Sequence, residues 1–139
     1  EPENTVCLAN LTELLLRTSR PAPAEIMALR LWAAAVGDPA RQAVAALMAG
    51  MAALLDGRGD VEALGRLKGL LPLVQPSGFS FALLLDHLGA SLGEAQALYT
   101  ELAQVIAGER PVTRLDAHER WQKLRAVPPD RPWEAPLGS

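Results

Sequence analysis

The chain has 139 residues, half of them apolar, a net charge of −3 and a sequence pI near 5.4. That size and apolar fraction suit one globular domain with a real core, while the acidic balance disfavours nucleic acid and anionic lipid as partners. The cleanest apolar run, Gln42 to Leu55, falls short of the roughly 20 residues that span a bilayer, and the single cysteine, Cys7, excludes a disulfide within the chain.

Ala and Leu dominate the apolar half while strand-favouring residues are scarce, so the expected fold is all-α with six to seven short helices. The first is predicted from Thr5 to Thr18, with Val6, Leu11, Leu14 and Leu15 near the helical period, ending before Pro21 and Pro23. A second follows Pro23, presents Ile26, Leu29, Trp32 and Ala33 on one face, and stops at Val36, where Gly37 can turn left-handed. Asp38 is the expected cap of a third helix with Pro39 at its first position. That helix is apolar on most sides and is expected to be central and most buried.

Asp60 is the expected cap of a fourth helix reaching Leu71, in which Gly65 and Gly69 each reduce local stability by roughly 1 kcal/mol relative to alanine. Such a helix needs tertiary support. After the break from Leu71 to Gly78, a fifth helix is predicted from Phe79 to Leu88. Ser91 and Glu94 have the spacing of a capping box for a sixth, which carries Ala95, Leu98, Leu102, Val105 and Ile106 inward and closes at Gly108. A seventh follows Pro111, capped by Thr113 or Asp116, with Ala117, Trp121 and Leu124 inward. Residues 1–127 therefore form one helical domain, and 128–139, rich in proline, form an extended arm.

A shift of 52 residues lays Leu31, Gly37, Ala43 and Leu54 over Leu83, Gly89, Ala95 and Ile106. This hints at a duplicated helical hairpin, so the helices are expected to pack as a compact bundle or as a short stack of the HEAT or armadillo kind.

The segment LLDHLGASLGEAQAL, Leu84 to Leu98, has the outline of a helix-turn-helix DNA reader. Such a recognition helix needs Arg, Lys, Asn, Gln or Ser toward phosphates and base edges. From Leu92 to Gly108 the chain offers Glu94 and Glu101 and neither Arg nor Lys, so the phosphate backbone would repel it. A joint between packed helices explains the turn better.

Charge is uneven along the chain. Residues 1–109 hold 7 basic and 12 acidic side chains, while 110–139 hold 6 basic and 4 acidic. Arg110, Arg114, Arg120, Lys123 and Arg125 with Trp121 are candidates for a surface that meets an acidic partner, or else the solvated face of a helix. Trp133, between Pro132 and Pro136, is expected either to fold into a groove of its own domain or to anchor another protein. Met48 and Met51, with Met27, are candidates for an adaptable groove or self-association surface, core filling being the competing use.

Catalytic patterns are thin. Asp86 and His87 are adjacent on a helix, about 100° apart, and cannot act on one another. His118 and Glu119 lack the second histidine of an HExxH zinc site, so neither a catalytic nor a metal or cofactor residue is assigned. The Asn10-Leu11-Thr12 glycosylation pattern lies within a predicted helix and is read as accidental.

The expected function is non-catalytic: an adaptor or assembly domain within a larger intracellular protein, recognising a protein or peptide through an apolar helical groove. One alternative is a nucleic-acid-associated domain using the basic 110–125 segment. The other is a small-molecule binder with a pocket near Trp32, Met48 and Leu83.

Overall fold

The computed structural model describes residues 4–75 and 80–133. Among these the chain is all-helical, and no helix is long and apolar enough to cross a membrane. In order come α1 (Thr5–Arg17), α2 (Pro21–Ala34), α3 (Pro39–Leu55), α4 (Val61–Leu70), α5 (Ala82–Leu88), α6 (Gln96–Ile106) and α7 (Glu119–Lys123). Tighter 3₁₀ turns cover Leu71–Leu73, Gly89–Ala95 and Val112–Ala117. Pro76, Gly78, Phe79 and the arm beyond Trp133 lie outside the described residues.

The helix starts follow from capping chemistry where a short polar side chain precedes an apolar run. Asn4 Oδ1 accepts from the amides of Val6 and Cys7 at 2.9 and 3.2 Å, and Asp38 Oδ1 accepts from Arg41 at 3.2 Å, with Pro39 at the first position of α3. Gly37 closes the α2–α3 turn at φ +93° with no atom near a would-be Cβ, so its conformation alone demands glycine.

Helix α3 is the centre. Every residue from Gln42 to Ala53 is buried, and α3 packs against α2, α4, α1 and α6. Its alanines and Gly50 let neighbours approach closely while Leu47, Met48 and Met51 fill the space between. Each such large side chain contributes roughly 1.5–3 kcal/mol of burial. Gln42 satisfies its one polar group there by donating from Nε2 to the Trp32 carbonyl at 3.2 Å.

Several faces differ from expectation. In α1 the inward stripe is Leu8, Ala9, Thr12 and Leu16, and Val6, Leu11 and Leu14 are exposed. Thr12 fits inside because its hydroxyl donates to the Leu8 carbonyl at 2.7 Å, which hides its polarity from a search for apolar periodicity. In α2, Ala24, Ala28 and Leu31 join Leu29 and Trp32 inside, whereas Ala33 faces out.

The Ser91–Glu94 capping box does not form. Ser91 sits within the Gly89–Ala95 3₁₀ turn, and α6 starts at Gln96 with no side-chain cap. Gly93 breaks the helical path at φ +60°, ψ −129°, which removes the geometry a cap at Ser91 requires. The 52-residue correspondence also ends at the backbone: Gly37 is left-handed, whereas Gly89 is right-handed helical at φ −48°. The expected seventh helix is divided into the Val112–Ala117 turn and α7, and buries Leu115 and Trp121 while Ala117 faces out.

Candidate functional site

The short helix α4 organises the C-terminal third of the chain. Its sequence VEALGRLKGL places Gly65 and Gly69 four residues apart, with Arg66 and Lys68 between them. The glycine pair leaves a flat track on one side of the helix. A Cβ at Gly65 would lie 2.9 Å from the Arg125 carbonyl oxygen, and one at Gly69 would overlap the carbonyl oxygen of Val127. The segment after α7 therefore lies directly on helix backbone, with the Val127 amide donating to the Gly65 carbonyl at 2.9 Å. Glycines that weaken an isolated helix here permit a contact that no other residue type allows.

Two cations fix the segment on either side of that track. Lys68 Nζ donates to the carbonyls of Trp121, Leu124 and Gln122 at 2.8, 2.9 and 3.3 Å, matching the three N–H groups of an ammonium. These are carbonyls at the C-terminal end of α7, where partial negative charge collects; that of Trp121 also accepts from the Leu124 amide at 3.2 Å. The same ammonium stands 5.7 Å from the centre of the Trp121 ring.

Arg66 holds the far end. Its side chain is 5% exposed, yet its Nε donates to Glu62 at 2.8 Å and its two terminal nitrogens to the carbonyls of Arg131 and Pro132 at 2.6 and 2.7 Å. The guanidinium lies 5.1 Å from the ring centre of Trp133 and 5.8 Å from that of Trp32, and the two indoles meet edge to face at 5.3 Å. Trp133 is partly buried there against Ala28, Ala49 and Ala63. Between track and clamp the arm turns at Pro128–Arg131, closed by the Arg131 amide donating to the Pro128 carbonyl at 3.1 Å. Residues 128–133 of the arm thus fold back into a groove of their own domain.

A second polar cluster locks α4 from behind. Asp60 is 1% exposed; it accepts from the Tyr99 hydroxyl at 2.6 Å and from both terminal nitrogens of Arg120. Its carboxylate is occupied sideways, so it makes no cap bond to α4. Burial first, then the charge and hydrogen bond of Asp60, hold the Tyr99 phenol well above its ordinary ionisation range, with Arg120 opposing. The hydrogen bond to Asp60 raises the Arg120 guanidinium above its ordinary value despite its partial burial. Tyr99 reaches this position because Gly50 on α3 has no side chain; a Cβ would collide with its hydroxyl.

The expected partner-binding residues are dispersed by these contacts. Arg120 pairs inward with Asp60, Lys123 pairs with Glu119 at 2.8 Å on the surface, and Arg114 lies 3.7 Å from Glu101. Trp121 is core, and the carbonyl of Arg125 lies on the Gly65 track. Met48 and Met51 are fully enclosed by α3's neighbours, so they fill the interior and present no surface. Trp32 and Met48 are likewise buried while Leu83 is exposed, so the three do not line one pocket. Of the seven, Trp133 by its ring and Arg125 by its backbone stand at the groove on α4.

The sequence marked Gly65 and Gly69 only as weak points of the fourth helix and gave Arg66 and Lys68 no role, yet these four build that groove. Their signal was present: two glycines at helical spacing mark a helix face open to another backbone, and the cations between them can reach its carbonyls. Among the described residues no group of His, Cys, Asp and Glu could hold a metal. Comparison with protein-family models, with characterised proteins and with solved structures finds no match.

Proposed function

We propose that this chain is a non-catalytic protein-interaction domain whose groove across α4, closed at one end by Trp32, receives an extended segment of polypeptide. The observation that carries the reading is the way the groove holds its present occupant. Its contacts to residues 124–132 go to main-chain carbonyls and one amide, so they suit any extended chain that can lie on the Gly65–Gly69 track. Selectivity comes from a single aromatic socket formed by Trp32 and Arg66. Backbone contacts for affinity with a side-chain pocket for choice is a recurring way of recognising peptides.

The reading casts the domain as an adaptor or assembly module, and the lone, exposed Cys7 suits a reducing interior of the cell. The basic 110–125 segment favours no nucleic-acid role, because Arg114, Arg120 and Lys123 face carboxylates.

The test is selection of peptides from a random display library on the full chain, in wild-type form and as Trp133→Ala, with counter-selection on Gly69→Leu. Peptides that bind and lose binding on Gly69→Leu support the reading. If neither form enriches a peptide sensitive to Gly69→Leu, the reading fails.

A further inference from the structure

The groove does not depend on the occupant it now holds. Arg66 is enclosed, and two of its hydrogen-bond acceptors are the Arg131 and Pro132 carbonyls. With the arm gone, Glu62 would still balance its charge and water would take the place of the two carbonyls, so the guanidinium stays ready to give the same pair of hydrogen bonds to another chain. No residue from Arg125 to Trp133 is fully buried, so release of the arm takes little from the core. A groove that offers backbone hydrogen bonds and an aromatic socket is filled by an occupant that the core does not require.

Resting on the interaction reading above, we infer that residues 125–133 are a built-in competitor, displaced by a segment of another protein with the same chemistry. That segment brings extended backbone for Gly65 and Gly69, a turn begun by proline, and a Pro-Trp pair whose carbonyls and indole meet Arg66 and Trp32. A second copy of this chain offers only the same arm. It would compete without advantage against a tethered one whose effective concentration is on the order of millimolar.

The probe is a fluorescein-labelled synthetic peptide of residues 124–133, LRAVPPDRPW, titrated by anisotropy into the full chain as wild type and as Trp133→Ala. Trp133→Ala frees the socket while leaving the core helices intact, and retained helical circular dichroism checks this. The peptide is expected to bind Trp133→Ala about tenfold or more tighter than wild type. Replacing the peptide's tryptophan by alanine, or adding Gly69→Leu to the protein, abolishes the gain; leucine favours helix over glycine, so α4 persists.

Equal affinity for the two proteins, or no binding to either at millimolar peptide, overturns the inference. So does a wild-type dimer in light scattering that dissociates in Trp133→Ala, since the occupant is then a second copy. Library peptides that depend on Gly69 but lack the proline–tryptophan pattern leave the interaction reading standing and sink this one.

Discussion

In α3, twelve consecutive residues are buried and Gln42 is their one polar side chain, whereas α4 buries six residues and two of its charged side chains reach for other segments' carbonyls. The first half of the molecule is held by the removal of apolar area from water, which needs close packing and little direction. The second half has shorter helices, 3₁₀ turns and an extended arm, with fewer apolar groups to bury. It is tied down by charged groups set at defined places: Lys68 on the end of α7, Arg66 on the arm, and Asp60 between Tyr99 and Arg120. Apolar packing makes a core, and directed polar contacts place loosely structured chain upon it.

That contrast is open to attack in order of expected effect. Met48→Ala in the middle of α3 should cost about 3 kcal/mol in urea unfolding, because the tight surroundings cannot collapse into the space. A loss below about 0.5 kcal/mol, the range of surface substitutions, would return Met48 to the surface role expected from sequence. Asp60→Ala should cost about 2–3 kcal/mol, since it strands the buried Tyr99 hydroxyl; Arg120 is 42% exposed and recovers part of its hydration.

The same cluster gives a pH signature. Tyr99 is the chain's single tyrosine, and its ionisation is raised, so its contribution to stability is complete below about pH 10 and is lost as pH climbs through the raised value. Phenolate absorbance at 295 nm should appear only well above pH 10 and coincide with loss of helical circular dichroism. An ordinary phenol titration with the fold retained would contradict the burial of this group.

Gly69→Ala separates helix from arm. Alanine favours helix by about 1 kcal/mol, yet its Cβ displaces the Val127 carbonyl, so overall stability should move little while the arm is released. Tryptic cleavage after Arg125 should accelerate in this variant; an unchanged rate would mean the arm does not rest on the glycine track. The smallest effect belongs to Lys123→Ala, whose partner Glu119 is exposed, with a change expected within about 0.5 kcal/mol.

How much of this was legible in sequence varies by element. Helix α3 could be read almost residue by residue, because Asp38, Pro39 and an unbroken Ala/Leu run state start, direction and burial locally. Helix α1 was placed correctly but its inward face was not, since Thr12 hides its hydroxyl in its own backbone and three apolar residues remain outside. Asp60 and Ser91 looked like caps because capping is a local rule; a longer-range claim on one carboxylate and a broken path at Gly93 prevailed. The groove was the least legible part, its residues appearing only as two weak points in a helix.

Composition, spacing and punctuation by themselves determined an all-helical chain, its helix order and its most buried helix, because these depend on interactions within a few residues. Tertiary structure alone decided the fate of Asp60, the use of Gly65 and Gly69, and the seat of Trp133. Each depends on a group 30 or more positions away meeting it at contact distance, and such meetings leave no period in the sequence.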